Sequence, residues 1–374
     1  MDVPRRAIGA RILPLSASLP RAHGGREAAS GTEVVARVRS SAVTDRATAG
    51  VASGVRHAGR VMADRRLGAL LGVHSGDSLG ATLEFLSWSR VMAAYPDGLR
   101  DIVGGGQLGW PAGHATDDTD LTRAVLLGYA DPGPDLLHAV ADRMLDWYDG
   151  RWPDRTEGSR PRDVGGATET ALSTYSRSPD PRRSGAGPGQ AGNGSLMRAI
   201  PTAVLVADQQ QRIDDAIAIS AITHDDTRCT VSCAAYVEIA ASLIAGADTH
   251  DSVGAGHTVA RSLGSSQVSD AIDHGAAMRL LPMASTGITH LPGEGGGYVL
   301  ESLSIAVAAV LDPRDLEDVL VDVVTLGHDA DTNGAIAGGL LGARDGAAAI
   351  PARWVQTLQF ADEFASLLAQ WDAR

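Results

Sequence analysis

From Val61 onward the chain sets apolar residues three and four positions apart, as in "VMADRRLGALLGVHSGDSLGATLEFL", the spacing that gives a helix one buried stripe. The same period runs through "LLHAVADRMLDWYDG", "DDTRCTVSCAAYVEIAASLIAG", "GYVLESLSIAVAAVL", "LEDVLVDVVTL" and "IPARWVQTLQFADEFASLLAQW". Strict alternation over a strand's length is scarce, so residues 61–374 are expected to form a single compact all-α domain of roughly a dozen helices. Gly/Pro-rich pieces such as "SPDPRRSGAGPGQAGNG" and "LPGEGGG" break the helical period and serve as connections. Residues 1–60, rich in Arg, Ser, Ala and Gly, keep no period. They are expected to be a disordered tail, for which a misassigned start, with translation beginning near Met62, is one plain explanation.

Composition sharpens this. The 374 residues are 44% hydrophobic, enough for a sizeable core, yet only 4% aromatic with 44 glycines. Such a core must be built from Ala, Val, Leu and Ile on closely approaching backbones. The net charge is −13, and all 32 basic residues are arginine. Ten of those arginines, against four acids, fall in residues 1–60, about +6, which leaves about −19 for the rest and argues against a nucleic-acid surface there. Cys229 and Cys233, four apart, share one helix face as small apolar residues, so neither a disulfide scaffold nor a zinc site is expected. A reducing, cytoplasmic setting fits. No apolar run approaches the length of about eighteen residues that a membrane span needs, and a monomer is expected.

Two stretches concentrate oxygen ligands at helix starts. In "HATDDTDLTRAVLL", Thr116 is a good N-cap, and Asp117, Asp118 and Asp120 fall in the first turn, where free N–H groups and the helix dipole favour negative charge. Capping explains part of this, but acids packed so densely repel one another unless a cation sits among them. In "GHDADTNGAIAGGLLGA", Asp329 and Asp331 flank Ala330, Thr332 follows, and an apolar helix begins. Each start offers an Asp pair and a Thr hydroxyl, a hard-oxygen set suited to Mg²⁺ or Mn²⁺, and two such half-cages suit two ions in one cleft. Gly334, Gly338, Gly339 and Gly342 would let neighbouring helices come close enough to join the halves.

Two further stretches are weaker alone. If "SGDSLGATLEF" is helical, Asp77, Gly80 and Glu84 follow at i, i+3 and i+7 and both acids look the same way; a solvated face is the plainer alternative. In "GNGSLMRAIP", glycine-flanked Asn193 and Ser195 offer backbone N–H groups ahead of a helix, a shape suited to phosphate, with Arg198 one turn in.

Taken in order, "GDSLGATLEF", "TDDT", "GNGSLMR", "ITH" and "HDADTNGAIAGGLLGA" resemble the ADP-ribosylglycohydrolase family, which includes the dinitrogenase reductase-activating glycohydrolases and the ADP-ribosyl-arginine and ADP-ribosyl-serine hydrolases. The resemblance spans about Asp64 to Trp354 and takes in "GYVLESL" and "IPARW". It implies an all-α fold with two Mg²⁺ (or Mn²⁺) ions in a central cleft. Carried over residue by residue, it implies metal ligation by Thr116, Asp117 and Asp118 from one side and by Asp329, Asp331 and Thr332 from the other. Glu84 matches a glutamate that serves some members as acid/base or flap residue. Gly192, Asn193, Gly194, Ser195 and Met197 match the loop that holds the diphosphate and distal ribose, and His224 matches a histidine near the substrate. His328 and Asn333 depart from the pattern, and His328 is expected to point away from the metals. Asp225 and Asp226 are expected to cap the next helix.

The implied reaction is hydrolysis of the glycosidic bond between C1″ of ADP-ribose and a protein side chain or small conjugate, arginine first, with serine or O-acetyl-ADP-ribose as alternatives. Bond cleavage builds positive charge on the ribose, which nearby carboxylates stabilise, and Glu84 or Asp118 would move the proton. A terpenoid-synthase-like all-α fold would need a mid-helix DDxxD; here Asp118 is followed by Thr119, Asp120 and Leu121, and both clusters open their helices. A non-catalytic ADP-ribose binder is the rival from another class, and the retained metal aspartates count against it.

Overall fold

The computed structural model describes residues 41–374, with side chains from Gly59 onward; residues 1–40, most of the expected tail, lie outside the described residues. In chain order the helices are α1 (Ser41–Gly80), α2 (Trp88–Ala94), α3 (Asp117–Ala130), α4 (Leu136–Tyr148), α5 (Gly166–Arg177), α6 (Ile200–Leu205), α7 (Gln209–Ala221) and α8 (Thr227–Ile244). They continue as α9 (Thr249–Ser262), α10 (Ser266–Ala277), α11 (Leu280–Thr286), α12 (Val299–Leu311), α13 (Leu316–Thr325), α14 (Ala330–Asp345), α15 (Ala352–Val355) and α16 (Ala361–Asp372). Among the described residues there is no strand, only isolated bridges such as Gly192 with Tyr298 and Ser87 with Gly327. Among the described residues, no helix is long and apolar enough to cross a membrane. The first helix starts about twenty residues before the break at 60. Residues 41–60 contain no proline, so no residue there bars a helix outright, although no apolar stripe announces one.

α14 is the axis of the packing. Every residue from Ala330 to Ala343 is buried, so this helix carries no polar face, as expected of one enclosed on all sides. Its glycines meet those of α1 in an antiparallel register: Gly68 lies against Gly342, Gly72 against Gly338, Gly76 against Gly334 and Gly80 against Ala330. A Cβ built on Gly68 would lie 2.5 Å from the Gly342 carbonyl oxygen, a distance no side chain tolerates. Spacing four on both helices turns one row of missing side chains toward the other, and the backbones touch. On another side of α14, the Tyr236 hydroxyl of α8 donates to the Ile336 carbonyl at 2.9 Å.

α3 is fixed against this pair by polar contacts. Asp77, near the end of α1, accepts from the Thr116 N–H at 3.1 Å, the Thr119 N–H at 3.2 Å and the Thr119 hydroxyl at 2.5 Å, so it caps α3 from outside. Asp120 ties α3 to α4 and the loop beyond, accepting from the Trp147 and Trp152 indoles at 2.9 and 2.7 Å. One acid of the DDTD run is thus structural.

Candidate active site

The expected helical alignment of Asp77 with Glu84 does not form. α1 ends at Gly80, where its backbone meets Ala330, and the chain turns: the Glu84 N–H donates to the Gly80 carbonyl at 3.0 Å. The turn still delivers Glu84 to the acids of α14. Phe85 and His328 pair across this point, the Phe85 N–H donating to the His328 carbonyl at 2.7 Å and the His328 N–H to the Leu86 carbonyl at 2.7 Å. Both adopt left-handed backbone, φ +62° and +57°, a conformation non-glycine residues adopt at a cost. The pair fixes the two segments that carry Glu84 and Asp329.

The starts of α3 and α14 converge. Asp118 Oδ2 accepts from the Thr116 hydroxyl at 3.0 Å and from the Thr332 hydroxyl at 3.4 Å, one acid bridging both expected half-cages. Asp329, although it stands at the N-cap of α14, makes no side-chain cap hydrogen bond and instead accepts from the Asn193 amide at 2.6 Å. Glu84, Asp331 and a third acid, Asp163, offer ligand atoms that all lie within 4.8 Å of one another. Asp163 was missed in the sequence: a lone acid in the "RPRDVGG" connection has no periodicity, and its only signal was its place just ahead of the glycines that open α5.

The donor set fits a hard divalent cation. Asp77 Oδ1, Glu84 Oε2 and Asp118 Oδ1 are buried carboxylate oxygens with no hydrogen-bond partner, and such orphaned acceptors are costly without a cation. Burial pushes the acids of the cluster up from their ordinary values. Glu84 rises to about 9, through burial first and then repulsion from Asp163, Asp117 and Asp329. Asp329 rises to about 6 by burial, its amide partner Asn193 opposing the shift. Asp77 also rises to about 6, again by burial and against its threonine hydrogen bonds. Asp117, Asp118, Asp163 and Asp331 move in the same direction.

These shifts set a pH dependence. In the folded, metal-free protein these acids hold protons that the unfolded chain releases, so their contribution to stability falls as pH rises from about 4, the ordinary carboxylate range, toward 6 for Asp77 and Asp329 and toward 9 for Glu84. The buried, neutral His74 and His224, both lowered to about 3, act in the opposite sense below their ordinary value of about 6.5, so the fall is read above it. Melting in chelator is expected to show Tm falling from pH 7 to pH 9, with added Mg²⁺ or Mn²⁺ restoring most at high pH. A metal-free Tm that climbs with pH over that range would be inconsistent with the cluster.

A cavity of about 670 Å³ opens over these acids, lined by Glu84, Asp117, Asp163, Asp329 and Thr332 on one side and by the 192–197 loop with His224 on the other. Asn193 anchors the loop through the Gly297 carbonyl at 3.0 Å and the Ser302 hydroxyl at 3.0 Å as well as Asp329. Gly192, Gly194 and Met197 face the cavity. Ser195 does not: it is buried behind the loop, where the Ser220 hydroxyl donates to it at 2.9 Å and Cys233 lies at 3.5 Å. Of the loop residues that the resemblance singles out, Ser195 is the one that does not line the cavity. Arg198 likewise points inward, donating to the Gly194 carbonyl and, at 2.7 Å, to the Thr223 hydroxyl. Cys229 and Cys233 are free and buried on one face of α8, beneath this loop.

His328 lines the cavity, but its ring pairs with Glu294 at 3.2 Å and stands outside the carboxylate group. Asp226 caps α8 through the Arg228 N–H at 2.9 Å. Asp225 accepts from the Gly187 N–H at 2.6 Å. The "LPGEGGG" segment is held by Glu301, which accepts from the Gly293 and Gly295 amides at 2.7 and 3.0 Å, while Asn333 donates to the Gly295 carbonyl at 2.8 Å.

Comparison with known proteins gives one consistent result. A family model described as ADP-ribosylglycohydrolase matches residues 59–373. The chain is 29% identical over 308 residues to an ADP-ribosylarginine hydrolase Tri1 of Pseudomonas putida, covering 81% of this chain and 76% of the relative. It is 27% identical to an ADP-ribosyl-[dinitrogen reductase] glycohydrolase of Rhodospirillum rubrum, over 79% of this chain and 90% of the relative. A solved structure titled ADP-ribosylglycohydrolase-related protein complex superposes with a TM-score of 0.69 at 29% identity, over 83% of this chain and 98% of the other.

Proposed function

Because the chain belongs to the ADP-ribosylglycohydrolase family of glycosyl hydrolases, we propose that it is a metal-dependent enzyme that removes ADP-ribose from modified protein arginine by hydrolysing the glycosidic bond at C1″. The observation that carries this reading is the meeting of acids from four separate segments, Glu84, Asp117–Asp118, Asp163 and Asp329–Asp331, at one wall of the cavity. Thr116, Asp117, Asp118, Asp329, Asp331 and Thr332 would hold two Mg²⁺ or Mn²⁺ ions, with Asp163 an added ligand. Bound there, such ions would neutralise the carboxylates and act as Lewis acids on ribose oxygens.

The chain's own groups supply the rest. A 670 Å³ cavity is of a size to enclose most of an ADP-ribosyl group. The glycine-lined loop brings backbone close to the diphosphate, and Asn193 links that loop to Asp329. Carboxylates beside the ribose stabilise the positive charge of an oxocarbenium-like transition state. Glu84, whose pKa burial and its acidic neighbours raise to about 9 in the metal-free protein, stands at the cavity wall as the group that would hand a proton to the departing nitrogen, with Asp118 the alternative. Arginine is favoured as acceptor because two relatives, 29% and 27% identical, are named ADP-ribosylarginine hydrolases.

Purified protein loaded with Mg²⁺ or Mn²⁺ is expected to release free ADP-ribose from a peptide modified on arginine. Release from a serine-modified peptide alone would reassign the acceptor, and release from neither would leave a binder. Asp163→Asn is expected to slow turnover by roughly a hundredfold while its circular dichroism stays that of the parent; unchanged turnover would remove Asp163 from the site.

A further inference from the structure

Arg198 is a guanidinium with no exposed surface, and among the described residues no carboxylate pairs with it. It donates to the Gly194 carbonyl and to the Thr223 hydroxyl oxygen at 2.7 Å. That same oxygen lies 2.7 Å from His224 Nδ1. Arginine can only donate, so the Thr223 oxygen is an acceptor in the first contact. The hydroxyl can accept from Arg198 and still give its own proton to Nδ1; with Nδ1 protonated instead, that hydroxyl proton would have no acceptor among the described residues. Hydrogen-bond satisfaction therefore favours an unprotonated Nδ1 and a ring proton on Nε2. Burial, with Arg198 nearby, lowers the His224 pKa to about 3, so the ring is uncharged. Nε2 has no protein partner and lies at the cavity wall, close enough that a Cβ on Gly194 would come within 3.3 Å of it.

We propose that Arg198 and Thr223 are positioning residues that lock His224 as the neutral, Nε2-protonated tautomer, a fixed hydrogen-bond donor to an acceptor oxygen, phosphate or ribose, of the bound ADP-ribosyl group. The same lock bars His224 from ligating metal, since the nitrogen facing the cavity has no free lone pair. The ligand half of this statement rests on the function proposed above; the tautomer half does not.

Long-range ¹H–¹⁵N spectra of the ligand-free protein, with His224→Gln identifying the resonance, are expected to show Nδ1 unprotonated and Nε2 protonated, unchanged from pH 5 to pH 8. Thr223→Val is expected to admit the Nδ1-protonated form, to weaken binding of free ADP-ribose about tenfold, and to raise the KM for the ADP-ribosylated peptide with kcat little changed; Thr223→Ser, which keeps the hydroxyl, is expected to restore all three. A protonated Nδ1 in the parent protein, a ring that titrates near its ordinary value, or a Thr223→Val protein with parental ADP-ribose affinity would each overturn the proposal. If the parent binds no ADP-ribose, the proposed function falls and with it the ligand half, while the spectra still decide the tautomer. Should Thr223→Val fail to fold, the Thr223→Ser protein and the parental spectra carry the same decision.

Discussion

Asp331→Asn is expected to lose turnover by roughly a thousandfold or more, the several kcal/mol that a metal centre contributes to a transition state, with helix content by circular dichroism unchanged. Asp331 is 1% exposed and lies in the group with Glu84 and Asp163. Asparagine keeps its shape, so no cavity forms and no packing is lost. What disappears is one negative charge from a site where burial and repulsion by Asp118, Glu84 and Asp329 already oppose ionisation. The metal-free variant should therefore melt at a higher temperature than the parent at pH 8, while the rise in Tm on adding Mg²⁺ or Mn²⁺ should shrink or vanish. Stability and activity move in opposite directions, as expected where a functional site holds strain. Parental activity, or an undiminished metal-induced shift, would remove Asp331 from the centre.

Gly76→Ala is expected to destabilise the fold by about 3 kcal/mol or more and to weaken metal binding with it. A Cβ on Gly76 would lie 2.8 Å from the Ala335 amide nitrogen and closer still to the Gly334 carbonyl. These neighbours are backbone in the middle of a buried helix, so neither can swing aside. The two helices must separate, and α1 carries Asp77 while α14 carries Asp331. Gly59→Ala in the same helix is the control: nothing lies within 4 Å of its Cβ, and alanine there should be neutral or stabilising by up to about 1 kcal/mol. Equal effects of the two substitutions would refute the glycine contact as the reason for the close approach.

Much of this fold is legible in the chain because helical periodicity is a local property. The buried helices announce themselves, and so do the acid-bearing starts of α3 and α14, since a cap and a first turn lie within a few residues. The glycines of α14 were visible too, but not their mate: only coordinates pair them with Gly68, Gly72, Gly76 and Gly80, because register between distant helices is set by packing. Asp77 and Glu84 misled for a related reason. Their spacing suits one helix face, yet α1 stops at Gly80 against α14, sending Asp77 to cap α3 and Glu84 onto a turn. Asp163 was invisible, being a single acid in a connection whose path depends on the whole molecule. Ser195 and Arg198 showed the right loop and the wrong side of it: their backbone neighbours line the cavity while their side chains brace it from behind.

Crystals grown with Mn²⁺ and measured at the manganese absorption edge put the convergence of these acids to its hardest trial. Anomalous peaks within about 2–2.5 Å of carboxylate oxygens from both Asp117–Asp118 and Asp329–Asp331 are expected, with Asp163 or Glu84 close by. Saturating Mn²⁺ that leaves this wall of the cavity without a peak would mean that the buried acids do not form a metal centre, and the proposed hydrolysis would lose its foundation.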